Sequence, residues 1–562
     1  MWNLSAWFNK ITLLIILFFS ILTFAQVGYI PVDDEIYLFL ERMQTLDIID
    51  NYNSFELPKT RKEIAGYLSK IILRINDLDK IDQLKLNDFI SEFEYDLFKT
   101  KNNISTLIPN YRFNYLTTDK EKYLFAYTDS TNTNLFVNAL GILNYLNENK
   151  NQTVRRTFLY RFGGEIRGSL FNRLGFYAKV TNGSYSGNKD LAKSFGSLSY
   201  NYKLNNETGS KIGDNFFDET ESFLTLDYDY ARIKIGNDRK FIGYGSHKIL
   251  LSDNAPRMEY LEFNLKYKAI SFSSFHGKLL GARLHRFEDP IKNYTEIFDK
   301  YLAYHRLQIN PNKHFNFGVG EIIVYANRNM DFSYLNPFNF YKSSEHLNQD
   351  RDNSMLFFDF YNKSIKGLKL FTTILLDDID FGKIGTGWYG NKTLMNFGLY
   401  SNLLYKYLPV DFELQYIRIE PYVFSHRLPQ NNFTNLNFNI GSTLQPNTGA
   451  AIIKLYYRPY YRINMSLSFL YAEHGANIYD DNKNLAVNYG GNILEGHRVG
   501  DSEKVYFLDG KREVFRKISL GTTYEPKKNI ILSLYANYSN NLLAASQFQE
   551  KVFINFALNI KF

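Results

Sequence analysis

The chain has 562 residues, 65 Lys and Arg against 58 Asp and Glu, a formal net charge of +7, 48 Phe and 44 Tyr, and no cysteine. The missing cysteine excludes disulfides, thiolate metal sites, cysteine nucleophiles and a lipid-anchor cysteine together. The basicity is too weak and too dispersed to select nucleic acid, and a chain of this length folds as several domains or as one large closed barrel.

At the N-terminus, Lys10 precedes the apolar run ITLLIILFFSILTFA, and Thr23 and Ala25 occupy the small-residue positions of a cleavage site. This predicts a secretory signal peptide over 1–25, with the mature chain starting at Gln26. The run is shorter than the ~20 residues of a comfortable spanning helix. No later stretch is apolar enough for a membrane helix, so any further membrane span must be made of strands.

Residues 26–108 are expected to form a small periplasmic helical region. Ile36, Leu40, Met43 and Leu46 make one apolar stripe. Thr60 followed by Glu63 is a capping box, and Ile64, Leu68, Ile71 and Ile75 continue its helix. Leu86, Phe89, Ile90 and Phe93 mark a third segment.

Over 109–562 the period changes to two. Val552, Ile554, Phe556, Leu558, Ile560 and Phe562 point one way, and Phe553, Asn555, Ala557, Asn559 and Lys561 the other. Phe158, Tyr160, Phe162 and Ile166 alternate with Arg161, Glu165 and Arg167; Leu261, Phe263, Leu265 and Tyr267 alternate with Glu262, Asn264 and Lys266. Export, strand number and the abundance of Phe and Tyr favour a transmembrane barrel over a soluble sandwich. At roughly 25 residues per strand the expectation is a mainly β fold, a large antiparallel transmembrane barrel of about 18 strands. The Asn-rich stretches 146–153, 203–215 and 426–437 read as outer loops, and EPKKN (525–529) as an inner turn.

Residues 235–260, IGNDRKFIGYGSHKILLSDNAPRMEY, combine glycines with basic residues. A phosphate loop would need a helix next, and the next element is again a strand. The G-x-G-x-x-G at 385–390 also lacks a βαβ context.

This stretch resembles the central signature of the capsule assembly protein Wzi family. YIPVDDEIYLFLERMQTLDII resembles that family's N-terminal helical region, LSDNAPRMEYLEF its LS-x-NAP segment, and MDFSYLNPFNFYKSSEH (330–346) its L-N-P segment. One departure is Gly236-Asn237-Asp238-Arg239, where relatives carry a tighter Gly-Arg-Asp. The resemblance implies an outer-membrane barrel with a periplasmic helical bundle, a lectin holding capsular or exopolysaccharide at the cell surface. It singles out Arg239, Gly243, Gly245, Ser252, Asn254, Pro256, Asn336 and Pro337 as motif residues, structural or binding.

No H-E-x-x-H, G-x-S-x-G or Walker loop is present, so no catalytic residue, metal ligand or cofactor is assigned. His247, His276, His285, His305 and His314 read as scattered wall or lumen residues. Asp377, Asp378 and Asp380 read as partners of lumen arginines, since an enclosed carboxylate needs a counter-charge. Sugar recognition needs flat rings beside planar hydrogen-bonding groups, and Tyr334, Tyr341, Trp388 and Tyr389 are the stacking candidates. The expectation is a monomeric, non-enzymatic barrel in contact with outer-membrane lipid and a surface polysaccharide. Its alternative is a channel or substrate-specific porin.

Overall fold

The computed structural model describes residues 28–108, 115, 117–129, 132–205, 215–285, 294–405, 407–543 and 548–562. The segment read as a signal peptide lies outside them.

Period-two alternation closes into one antiparallel barrel of 18 strands. The first six are β1 Asn134–Lys150, β2 Thr153–Leu170, β3 Leu174–Gly187, β4 Phe216–Asp227, β5 Ala231–Asn237 and β6 Glu259–Tyr267. Next come β7 Ile270–His285, β8 Tyr294–Ile309, β9 Phe315–Ala326, β10 Asn353–Ile365, β11 Leu368–Asp378 and β12 Lys392–Ser401. The wall ends with β13 Val410–Ile419, β14 Thr448–Tyr460, β15 Ile463–Ala476, β16 Lys511–Lys527, β17 Ile530–Leu542 and β18 Phe548–Lys561. β18 pairs back onto β1, from Lys551 opposite Lys150 to Lys561 opposite Leu140. This leaves no free edge, which is the condition for strands to cross a bilayer. The short strand Phe125–Thr128 lies against the start of β1.

The alternation sorts side chains as read from the sequence. Phe162 is 60% exposed on the outside and Phe556 53%. Inside, Arg161 pairs with Glu219 at 3.1 Å, Lys561 with Glu165 at 2.7 Å and Lys240 with Glu262 at 2.7 Å. Among the described residues no helix is long and apolar enough to cross a membrane.

One end of the barrel has short turns, such as Lys268–Ala269 and Lys528–Asn529. The helices α1 Ile36–Thr45, α2 Arg61–Ile72, α3 Lys80–Glu92 and α4 Glu94–Phe98 sit in this mouth. Ile36, Leu40, Met43, Ile64, Leu68, Ile71, Leu86, Phe89 and Phe93 are buried in one cluster. The capping box is formed: Glu63 N–H donates to Thr60 Oγ1, and Thr60 N–H to Glu63 Oε2. The polar backs of the helices grip the wall through charge. Arg42 pairs with Asp411, Lys369 with Glu41 at 2.6 Å, Lys363 with Asp47 at 2.6 Å, Arg458 with Asp82 at 3.3 Å, and Lys528 with Asp88 at 3.3 Å.

The other end carries the long insertions, and two of the expected outer loops differ from their reading. Residues 146–153 are strand joined by a tight turn at Asn151 and Gln152, both left-handed with φ of 46° and 70°; turns of this hand suit the strand twist and tolerate Asn. Residues 426–437 fold into the barrel mouth, where Asn432 and Asn435 are 1% exposed and Phe433 is fully buried. Buried polar groups find partners there: Asn435 Nδ2 donates to Pro256 O, and the Asn432 backbone carbonyl accepts from Lys300 Nζ at 2.6 Å.

Candidate functional site

Residues 238–258, between β5 and β6, enter the lumen from the long-loop end. Phe241–Ile242 pair with Glu56–Leu57, which rise from the helical end, and Gly243 N–H donates to Phe55 O at 2.8 Å. The two intrusions meet inside the barrel and form one apolar core. Phe55, Ile242, Tyr244, Ile249 and Leu250 pack on lumen-facing Phe275, Tyr304, Ile322, Phe357, Leu375, Leu394 and Ile417.

The glycines of this stretch shape a stopper. Gly245 has φ +80° and lies so close to Gln415 that a Cβ would come within 2.6 Å of it; Gly243 has φ +126°. Gln415 accepts from His247 N–H at 3.1 Å and donates to His247 O at 2.9 Å. Tyr244 Oη shares its one proton between Asn316 Oδ1 at 3.1 Å and Asp359 Oδ1 at 3.2 Å. Beneath it, Arg306 and Asp359 form a buried two-pronged pair, both contacts at 2.8 Å.

The remaining family-motif residues tie this insertion to its neighbours. Ser252 N–H donates to Ile440 O, and Ser252 Oγ accepts from Asn254 N–H at 3.1 Å. Asn254 Nδ2 donates to Asn439 O at 2.9 Å and Ser442 O at 3.0 Å. Pro256 O accepts from Asn435, as above. Arg239 joins Asp253 to Asp33 of the N-terminal segment, the latter at 2.7 Å. Arg239, Gly243, Gly245, Ser252, Asn254 and Pro256 thus share one framework. Asn336 and Pro337 lie far from it, in the insertion between β9 and β10, where Asn336 Oδ1 accepts from Phe338 N–H at 3.2 Å.

The aromatic candidates separate into two groups. Tyr334 and Tyr341 are each 1% exposed, packed with Tyr301, Ala303, Ile323 and Tyr325, and offer no free ring face. Trp388 and Tyr389 stand half-buried at the outer rim. Tyr389 stacks on His497 with ring centres 3.6 Å apart and meets Tyr422 edge-on; Lys383 Nζ sits 3.9 Å from the Trp388 ring centre. The glycines of 385–390 serve this rim, because a Cβ at Gly390 would collide with the Trp388 ring at 2.4 Å and one at Gly387 with Tyr506 at 2.7 Å. Tyr389 N–H bonds Glu503 O and Val505 N–H bonds Gly387 O, locking the loops 379–391 and 477–510 together. Around the rings lie planar polar groups: Asn391 accepts from Asp380 N–H, Arg498 pairs with Asp501 at 2.8 Å, and Asn477 and Tyr479 bond Glu495. His497 and Tyr422 were missed in the sequence; they are distant in the chain and carry no local signature.

The expected arginine partners of the 377–380 carboxylates are replaced by backbone N–H groups and, at Asp380, also by Lys383 at 3.6 Å. Asp377 accepts from Phe424 N–H at 2.6 Å, and Asp380 from Gly382 N–H at 2.9 Å. His276 and His305 come to the outer face of the neighbouring strands β7 and β8. Among the described residues no group of three or more His, Asp or Glu is placed to hold a metal.

A closed barrel with an apolar outer belt and charged inner wall defines the class of membrane-spanning β-barrels. No protein-family model matches the sequence, and no curated protein matches it. Solved structures do resemble the fold. One is Wzi, "an outer membrane protein involved in group 1 capsule assembly in Escherichia coli" and "a carbohydrate binding beta-barrel". It aligns over 95% of this chain and 99% of its own at a TM-score of 0.56 and 11% identity. Two Pseudomonas aeruginosa barrels, OccK8 (OprE) and OpdK, each cover 76% of this chain and 98% and 99% of their own, at TM-scores of 0.44 and 0.43 and 9% identity. The similarity to Wzi read from the motifs therefore recurs as a likeness of fold.

Proposed function

We propose that this chain is a non-enzymatic outer-membrane protein that binds a surface polysaccharide at its long-loop rim and retains it on the cell. The helical mouth then faces the periplasm. The observation that carries this reading is the contrast between the two parts of the site. The lumen is crossed by the stopper of residues 53–57 and 241–244, while the rim presents Trp388, Tyr389 and His497 beside Asn391, Arg498 and Asp501. Rings and planar amides suit sugar faces and hydroxyls. The loop 477–510 carries Asp480, Asp481, Glu495, Asp501, Glu503 and Asp509 against Lys483, Arg498 and Lys504, so this loop does not select an acidic polymer by charge. Each exchanged hydroxyl gains little net energy, and retention comes from a long polymer meeting many copies. The carbohydrate-binding description of the structurally similar barrel supports the same reading.

A second reading, a selective channel, is favoured by a cavity of about 730 Å³ beside the stopper, lined by Arg161, Glu165, Lys179, Glu219, Glu221 and Lys561 among others. The two readings are separated by restoring a deletion strain with the wild-type or the Trp388→Ala, Tyr389→Ala variant. Retention predicts that the variant sheds polymer into the medium while the barrel still assembles. An intact surface layer, with solute-selective conductance in planar bilayers, would overturn it in favour of the channel.

A further inference from the structure

The insertion 327–352, between β9 and β10, leaves the long-loop end and folds down the outside of the wall. Its two ends are clamped by Arg328, which bonds Asp352 at 2.5 and 2.7 Å and lies over the Tyr325 ring at 4.5 Å. Between them the segment descends far. Phe338 stacks on Phe272 with ring centres 5.1 Å apart and meets Phe263 at 6.2 Å. Both partners are outward residues near the short-turn end; Phe272 is the third residue of β7. The chain then returns through the helix Tyr341–Leu347.

Beneath this segment the outer wall is polar where a barrel is normally apolar. His305 stands directly opposite Glu321 and pairs with it at 3.0 Å; His276 Nε2 bonds Tyr325 Oη at 2.7 Å. Glu321 also accepts the Tyr341 and Lys342 N–H groups at 2.8 and 3.3 Å, and Tyr341 stacks on His305 at 4.3 Å. An unpaired polar group facing hydrocarbon costs several kcal/mol, on the order of the transfer penalties for amides and hydroxyls, so this wall needs its cover. The cover's other side is apolar. Phe332 is 83% exposed, Phe338 67%, Phe340 54% and Leu347 82%. No charge occurs in FSYLNPFNFY, residues 332–341. On β9 the exposed outward residues Phe317 and Val319 continue directly into Glu321, Ile323 and Tyr325, which the segment covers.

We propose that residues 329–349 are a membrane-embedded strap, and that Phe332, Phe338, Phe340 and Leu347 meet lipid acyl chains. The occupant follows from continuity with the apolar belt, from depth and from the absence of charge over 332–341, the flanking Lys342 and Glu345 being paired with each other at 2.8 Å. The inference rests on the membrane-spanning reading of the barrel and not on the polysaccharide.

The native chain has no cysteine, so single cysteines report cleanly. In full-length protein reconstituted into phosphatidylcholine vesicles, bimane-labelled Phe338→Cys, Phe332→Cys, Phe358→Cys (outer wall) and Val499→Cys (rim loop) are challenged with doxyl-labelled phosphatidylcholine. The same variants in cells are challenged with a membrane-impermeant maleimide. The strap predicts that positions 332 and 338 lose fluorescence as strongly as 358, while 499 does not, and that maleimide reaches 499 alone. Labelling at 338 as fast as at 499 would make the segment an aqueous loop. Protection of 338 from both reagents would make it a protein-covered face, such as a contact with a second barrel. Either result overturns the strap, and failure of lipid to quench 358 overturns the membrane reading beneath it.

Discussion

The insertions 238–258 and 327–352 leave the same end of the barrel and go opposite ways. The first enters the lumen, where β7 to β13 present Phe275, Leu302, Ile322, Phe357 and Leu394 inward. The second lies on the outside, where β7 to β9 present His276, His305, Glu321 and Tyr325 outward. The long-loop half of this sector is inverted relative to β1 to β5, whose inner faces are charged and outer faces apolar, whereas nearer the short turns Arg306 and Asp359 still face inward and Phe317 and Val319 outward. An insertion goes where it completes the face it meets. Apolar stopper residues fill an apolar lumen, and backbone N–H groups and aromatic rings cover a polar outer wall.

The largest effect is expected on the inward side. Arg306 is 1% exposed, and Asp359 is its bidentate partner beneath Tyr244. Asp359→Ala removes the two-pronged partner and leaves the buried guanidinium with Gln308, Asn316 and, at 3.4 Å, Glu56, a loss of up to about 3–5 kcal/mol for a broken buried pair. The midpoint of heat-modifiable gel mobility should fall sharply, with Asp359→Asn intermediate. A midpoint as in wild type would mean that the stopper does not bear on barrel stability.

The same truncation on the outward side should act locally. Glu321→Ala removes the acceptor of two strap N–H groups and the partner of His305. Each buried donor left unpaired costs about 1–3 kcal/mol. Limited proteolysis should cut within 327–352 while the heat-modification midpoint stays near wild type. Global unfolding in step with cleavage would show that the strap is part of the barrel's cooperative unit.

Acid separates the helical support of the stopper from the strap. Burial works to raise the Asp88 carboxyl, but Lys528, Lys85 and Arg462 overcome it and hold it below the ordinary range. Asp82 is pushed up to about 6, by burial first, against the pull of Arg42. A raised folded value means that stability grows as pH falls from about 6 toward the unfolded value of about 3.9; a depressed one means that stability is lost below about 3.9. Docking of α3 should therefore tighten slightly between pH 7 and 5 and loosen below 4, read as protease access to the α2–α3 linker. A loss already complete at pH 5 would contradict both shifts.

Much of this was legible from period alone. The alternation of Phe158 to Arg167 and of Val552 to Phe562 placed the outer and inner faces, because one face is apolar and exposed and the other carries paired charges. The three helical stripes and the Thr60 cap were equally local, except that α2 ends at Ile72 and Ile75 falls in the turn that follows it. The inverted sector was not legible. GEIIVYA (320–326) does not alternate in polarity, and Glu321 through Ala326 are all buried, since the stopper covers one face and the strap the other. Tyr334 and Tyr341 looked like sugar platforms because aromatic residues in an Asn-rich loop carry no sign of which wall they pack on. The rim partner His497 lies more than a hundred residues from Tyr389 and joins it only through loop interlock.

The smallest effect tests how the stopper is aimed. Residues 53–57 run directly into α2, whose cap Thr60 is fully buried. Thr60 Oγ1 accepts from Glu63 N–H at 3.2 Å, and Thr60 N–H donates to Glu63 Oε2 at 3.1 Å. Thr60→Ala strands one helical donor, the Glu63 N–H, and removes the hydroxyl bonded to Glu63 Oε2, while the backbone N–H of residue 60 still holds that carboxylate. Loss of a cap costs about 0.5–2 kcal/mol. Thr60→Ser keeps both bonds and loses only a methyl group. Hydrogen exchange should therefore quicken at Gly243, whose N–H is held by Phe55 O, in the alanine variant and much less in the serine one, while the strap amides of Tyr341 and Lys342 stay protected in both. Equal quickening at Gly243 and Tyr341 would mean that the inward and outward insertions are coupled through the wall between them.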